Sequence, residues 1–208
     1  MAPAPLTHQR LARAALDLFT TQGYHATTTP EIAKRAGVAE GTIYRHFVSK
    51  QALLNDLYRG AARWAAKLAQ EAEGAGSTAR VKLAELGRAL AAGAAREPGV
   101  VRLLLLQRHG PLLDEESRRT AREFRSTLES LVAQAKADGS VKAGAAELWA
   151  TIWLGVVGLA LDRVAAREWP LDHPGVTQTL EAAWDAIAAA PATPADPRTD
   201  LLATRAGE

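Results

Sequence analysis

Apolar residues return every three to four positions from near the start of the chain. Over residues 7–22, Leu11, Ala14, Ala15, Leu18 and Phe19 share one side of a helical period, while Gln9, Arg10, Arg13 and Asp17 fall on others. This predicts an amphipathic helix stopped by Gly23. Thr28, Thr29 and Pro30 then read as a helix start: a hydroxyl cap, followed by a proline at the first helical position, where its missing N–H costs nothing. The short helix over residues 30–36 stops at Gly37. A second short helix is predicted over 40–47, poorly capped because Ala39 precedes it. Ser49 caps a long helix over 50–73, with Val48 and Leu53 placed to staple across the cap. Further helices are predicted over 79–96, 100–108, 112–138, 143–167 and 174–190, and no segment alternates like a strand. The 18 residues from Pro191 hold three prolines and little apolar content, and are expected to form a disordered tail.

Composition supports the helical reading. Of the 208 residues 45 are alanine, the strongest helix former because it loses no side-chain entropy. The expected fold class is therefore all-α. The absence of cysteine removes disulfides, thiolate metal sites and cysteine nucleophiles. The longest apolar run, residues 148–161, is short for a membrane span and is followed by Asp162 and Arg163. The opening Met-Ala-Pro-Ala-Pro lacks the pattern of a secretory signal, so a soluble cytoplasmic protein is expected. Charge divides unevenly: residues 1–60 hold 7 Lys/Arg against 4 Asp/Glu, a net of +3, and residues 61–208 hold 18 against 19, a net of −1. A basic N-terminal quarter fits a nucleic-acid partner, although many solvated helices carry as much.

Two short helices joined by a glycine turn and packed on a longer helix have the geometry of a helix-turn-helix. Ala33 is small where the helices cross, Gly37 suits a left-handed turn, and Ile32, Val38 and Ile43 supply a small core. Such hairpins also occur in purely structural settings. Around this one, Gly23-Tyr24, Thr28-Thr29, Ile32-Ala33, Ala36-Gly37-Val38, Gly41-Thr42-Ile43-Tyr44, His46-Phe47, Lys50 and Leu53 follow in one order over about 45 residues. This series closely resembles the N-terminal DNA-binding domain of the TetR family of bacterial transcriptional regulators. The resemblance implies an N-terminal three-helix helix-turn-helix DNA-binding domain over residues 1–49. A long fourth helix would join it to a helical ligand-binding and dimerisation bundle over 50–190, with the tail over 191–208. It further implies a repressor that binds a palindromic DNA operator as a homodimer and is released by a small-molecule effector. A ligand-independent or activating regulator and a non-specific helical DNA-binding protein are the alternatives.

Residue roles follow from chemistry and resemblance together. Thr28 or Thr29, at a helix N-terminus, can offer a hydroxyl and free N–H groups to a phosphate. Thr42, Tyr44, His46 and Lys50 match family positions that face DNA, and Lys50 suits a phosphate as a mobile point charge. Arg45 can bond a guanine edge, Glu40 can accept from a cytosine amino group, and Tyr44 or Thr42 can touch a thymine methyl. Arg45 also reads as a solvated or phosphate-only charge, and Glu40 as a dipole partner. Tyr24 and Phe47 read as core aromatics.

In the remainder, Trp64, Leu103, Leu106, Phe124, Trp149 and Trp153 are apolar candidates for a ligand pocket, and Arg102, Gln107 and His109 polar ones, with packing the competing role for each Trp. The apolar run supplies Leu148, Ile152, Gly155, Gly158 and Leu159 to a subunit interface, and the last helix supplies Leu180, Ala183, Trp184 and Ile187. An internal core helix is the competing reading. Enzymatic activity is not expected: His8, His25, His46, His109 and His173 are scattered, there is no phosphate-cradling loop or nucleophile elbow, and the adjacent Glu115 and Glu116 diverge on a helix. No cofactor, metal or membrane is expected.

Overall fold

The computed structural model describes residues 4–74 and 78–190; the tail expected over 191–208 lies outside the described residues. The N-terminal module consists of α1 (Ala4–Thr21), α2 (Thr29–Ala36) and a 3₁₀ helix (Glu40–Arg45). The long α3 (Lys50–Glu73) leaves this head and enters the body, which holds α4 (Ala79–Arg96), α5 (Pro98–Val101), α6 (Glu115–Ala137), α7 (Ala146–Ala165) and α8 (Pro174–Ile187). Among the described residues the only extended pairing is a single bridge, Val141 with Ala188, which pins the loop before α7 to the end of α8.

Each helix buries its periodic stripe. In the head, Leu11, Ala15 and Phe19 of α1 meet Ile32 of α2, Ile43 of the 3₁₀ helix, and Leu53 and Leu54 of α3. In the body, Ala65 and Ala69 of α3 lie in one core with Leu83, Leu86 and Leu90 of α4, Phe124, Leu128 and Leu131 of α6, and Trp153, Val157 and Leu161 of α7. Alanine on α3 lets these helices approach closely, since only a methyl separates the backbones.

Three expectations need correction. The helix expected over 100–108 is split into α5 and a π-helical turn, Arg102–Leu106, closed by Gln107 N–H donating to the Arg102 carbonyl at 2.9 Å. The wider winding divides four consecutive leucines. Leu103 joins the head core, whereas Leu104, Leu105 and Leu106 pack on the body core. The helix expected from residue 112 starts at Glu115, because Gly110–Leu112 form a 3₁₀ turn and Asp114 caps α6 through the Ser117 N–H. The staple across Ser49 is absent: Leu53 is buried in the head, but Val48 is 88% exposed.

Helix α7 meets the length and hydropathy of a membrane span by composition, yet it packs into the bundle through Ala150, Trp153, Val157, Leu161 and Val164. Its other face leaves Leu148 and Leu159 more than half exposed.

Candidate DNA-binding surface

The helix-turn-helix is built by local chemistry. Thr28 caps α2 in a capping box: its hydroxyl accepts from the Glu31 N–H, while the Glu31 carboxylate accepts from the Thr28 N–H at 2.7 Å and the Thr28 hydroxyl at 2.8 Å. These bonds hold the Glu31 carboxyl below its ordinary range. At the other end Gly37 adopts φ 63, and Arg10 of α1 donates to its carbonyl at 3.0 Å. The positive φ favours glycine here; a Cβ would also lie 2.6 Å from the Arg10 guanidinium, but that exposed side-chain tip can move aside.

The reading segment is a 3₁₀ helix, Glu40–Arg45, where an α-helix to Phe47 is expected from sequence. Ala39 makes no side-chain cap bond, and Gly41 followed by β-branched Thr42 and Ile43 has low helix propensity, so nothing local enforces the α winding. Ile43 and Phe47 anchor the segment in the core. Tyr44 is 55% exposed, and its hydroxyl lies 3.1 Å from that of Thr29, tying the start of α2 to the reading segment across the surface. Glu40 and Arg45 are exposed beside it, and Thr42 is half-buried. His46 is half-buried, edge-on to His8 at 6.1 Å.

Two residues expected at phosphates, Lys50 and Thr28, have partners within the chain. The Lys50 ammonium is half-buried, donates to the Tyr24 carbonyl at 2.9 Å and the Thr27 carbonyl at 2.7 Å, and stands 4.3 Å from the centre of the Tyr24 ring. It therefore ties the turn between α1 and α2 to α3, a contact with no signature in sequence spacing. The Thr28 hydroxyl is occupied in the same way, donating to the Glu31 carboxylate. The hydroxyl of half-buried Thr29 meets that of Tyr44 instead.

The expected ligand-lining residues do not converge. Leu103, Phe124 and Trp153 are packed core, at 0%, 2% and 1% exposure. Trp149 lies at the far end of α7 and donates to the Ala143 carbonyl at 3.2 Å. Leu106 packs on the body core near Gly158. Gln107 donates to the Thr20 carbonyl at 3.3 Å, and its Oε1 is buried without a partner, as is Nε2 of His109. Burial also pushes the His109 imidazole below its ordinary pKa. Trp64 and Arg102 line clefts where head meets body: Arg102 one of about 840 Å³ between α1, α2 and the ends of α4 and α7, Trp64 a neighbouring one of about 760 Å³.

The expected interface residues divide in the same way. Leu180, Ala183 and Ile187 point into their own core, and half-buried Gly158 lies beside Leu106. Leu148, Gly155 and Leu159 are exposed and Ile152 is half-buried along one stripe of α7, with half-buried Trp184 on α8.

Sequence reasoning also missed a polar latch between the first turns of α3 and the segment before α6. Asn55 of α3, 2% exposed, donates to the Leu112 carbonyl at 3.0 Å and accepts from the Asp114 N–H at 2.8 Å. Arg59 one turn later pairs with Asp114 at 3.2 Å.

Comparison with known proteins agrees with this geometry. Residues 11–57 match the model for bacterial regulatory proteins of the tetR family. An uncharacterized HTH-type transcriptional regulator of Bacillus subtilis, YvkB, is 49% identical over 51 residues, which are 24% of this chain and only 27% of that protein. The nucleoid occlusion factor SlmA of Marinobacter nauticus is 29% identical over 143 residues, 67% of this chain and 71% of that protein. A putative tetR family transcription regulator from Shewanella sp. PV-4 superimposes with a TM-score of 0.72 at 26% identity, covering 88% of this chain and 99% of that one. Residues 11–57 thus form a DNA-binding head of the kind found in bacterial regulatory proteins of the tetR family, and the fold of the whole chain superimposes on that of a solved regulator.

Proposed function

We propose that the chain is a cytoplasmic homodimeric repressor that binds a palindromic operator through residues 1–49 and is released when a small molecule engages the body, residues 50–190. The observation that carries the reading is the Thr29–Tyr44 hydroxyl pair, half-buried Thr29 meeting exposed Tyr44, with exposed Arg45 next in the chain, on a head whose core is closed beneath them. In this reading Thr29 and Tyr44 meet backbone phosphates, and Arg45, Glu40 and Thr42 meet base edges. The 3₁₀ segment is expected to take a regular α winding on DNA, where contacts supply the order that Ala39 does not.

One head reads only a few base pairs, so specificity calls for two heads spaced about 34 Å or a multiple apart. The stripe Leu148, Ile152, Gly155 and Leu159 recurs at four-, three- and four-residue steps, the spacing of a helix–helix seam, and Gly155 has open space above it. Release is supported by the position of the large clefts. A ligand wedged between α1 and the body tilts the head relative to α3, and so changes the separation of the two reading segments.

Selection of bound fragments from genomic DNA tests the reading. The full chain should enrich a palindrome bound on the order of a thousandfold tighter than random duplex at equal salt. Equal affinity for both would defeat it. Arg45→Ala should relax preference at one position of each half-site. Leu148→Asp with Leu159→Asp should shift the sedimenting species from dimer to monomer, and an unshifted dimer would move the interface off this stripe.

A further inference from the structure

The cleft of about 840 Å³ at the head–body junction is the most strongly charged concavity among those described. Helix α1 contributes Arg10 and Arg13, α2 contributes Lys34 and Arg35, and the body adds Arg96, Arg102 and Arg167. Only Asp17 and Glu97 oppose these seven cations, a formal excess of five. Part of that excess has a structural reason. The C-terminal ends of α1, α2, α4 and α7 all line the cleft, and each end carries about −0.5 of an elementary charge. Arg10 and Arg102 answer this directly, donating to the Gly37 and Ala165 carbonyls at 3.0 Å each. Four helix ends together supply only about −2, however, so roughly three positive charges stay uncompensated. Arg35 pairs with Asp17, and Arg13 lies 3.7 Å from Glu97. Among the described residues Lys34, Arg96 and Arg167 have no carboxylate within 4 Å.

Arg167 carries a second sign. It adopts φ 61, alone among the described non-glycine residues in that region, just past the end of α7. A glycine would sit there without the Cβ penalty, so the arginine is kept at some cost in backbone strain, and its side chain lines the cleft.

We propose that this cleft is a binding site for a small, multiply charged oxyanion of the phosphate or pyrophosphate class. Guanidinium forks match the geometry of phosphate oxygens, and several forks converging from two sides bind such a group in preference to a single carboxylate. The volume suits a small molecule. Duplex DNA is a poor fit: the cleft takes the C-terminal end of α2, whereas Thr29, Thr42, Tyr44 and Arg45 lie outside it. An anion held here bridges α1 and α2 to α4 and α7 and so clamps the head to the body. Any effect on DNA rests on the ligand-responsive reading above; anion binding itself does not.

Calorimetric titration of sodium pyrophosphate into the DNA-free full chain, at near-physiological salt, tests the site. One anion per chain is expected. Arg96→Gln and Arg167→Gly should each weaken it about tenfold, the worth of one charge-assisted contact. Arg167→Gly should at the same time hold or raise the melting temperature, because glycine relieves the positive φ, so lost affinity cannot be ascribed to lost folding. Lys67→Gln, on the exposed side of α3, should leave affinity unchanged. No saturable binding by about 1 mM, or equal weakening by Lys67→Gln, overturns the proposal. A parallel titration with random duplex separates the sources of phosphate. An unchanged salt slope in the Arg96→Gln and Arg167→Gly variants supports a free anion, whereas a slope reduced by about one in each assigns the cleft to the DNA backbone and overturns it.

Discussion

The head and the body differ in how many small side chains close their cores. The head packs few, large side chains, Leu11, Phe19, Ile32, Ile43, Phe47, Leu53 and Leu54, into a small volume. The body mixes large side chains such as Leu86, Phe124 and Trp153 with many small ones, Ala65, Ala66, Ala69 and Ala72 of α3 and Ala91 and Ala94 of α4 among them. A core of large residues is vulnerable to deletion, because each side chain that is removed leaves a void its neighbours cannot fill. A core of close-set backbones is vulnerable to addition. The junction, where α3 passes from one to the other, inherits both sensitivities.

The largest expected effect is therefore Phe19→Ala. Phe19 is fully buried in α1 and touches Tyr24 with ring centres 5.3 Å apart, so truncation should cost about 3–5 kcal/mol in urea unfolding and abolish DNA binding with it. A loss below about 1 kcal/mol would show that the head collapses around voids, and would erase the contrast. The matching probe of the body adds a methyl instead. At Gly93 of α4 a Cβ would come within 2.3 Å of the Trp64 ring, so Gly93→Ala should cost about 1–3 kcal/mol. At Gly60 of α3 nothing lies within 4 Å, and Gly60→Ala should stabilise by about 0.4–1 kcal/mol through helix propensity alone. Opposite signs from the same substitution, read by thermal melting, would locate the close packing. Equal signs would deny it.

The two regions also differed in how far the sequence exposed them. In the head, the cap at Thr28, the turn at Gly37 and the buried Ile32 and Ile43 are each local, and each was visible as a residue type at a fixed spacing. The contacts that cross the chain were not: Lys50 reads as a free cation until the carbonyls of Tyr24 and Thr27 are placed around it. In the body α3 and α4 are bounded as expected, whereas the stretch around Gly110-Pro111 is not. What each apolar residue faces was not visible either, since period alone cannot tell a pocket wall from a packed core. Leu103, Phe124 and Trp153 proved to be core, and the basic cleft drew its residues from four helix ends far apart in sequence.

Lys50 gives a smaller test of the same distinction. Lys50→Met keeps the apolar stem and removes both bonds to the turn, so the head should lose about 1–2 kcal/mol, the low part of the range for charged hydrogen bonds because the ammonium is only half-buried. If its role is internal, the slope of log affinity against log salt for DNA stays as in the parent. A slope reduced by about one would return Lys50 to the phosphate contacts.

The smallest effect is expected at the border between the two cores. His109 is 8% exposed, its Nε2 has no partner, and the Tyr58 ring stands edge-on at 6.5 Å. Burial lowers its pKa from 6.5, so the folded chain favours neutral imidazole and the unfolded chain binds the proton first. Stability is then complete above the unfolded value and falls as pH drops from about 6.5 through the lowered folded value. Asp114 and Glu31 are held below their ordinary values of 3.8 and 4.5 by hydrogen bonds to Ser117 and Thr28, so their losses come at more acid pH. Melting at about pH 7.5 and about pH 5.5 therefore isolates the imidazole from these two carboxylates. The parent should melt lower at the acid point, and His109→Leu, which removes the unpaired nitrogen along with the charge, should lose most of that difference. The same acid shift in both would place the titrating group elsewhere, and leave the border as dry as the core on either side.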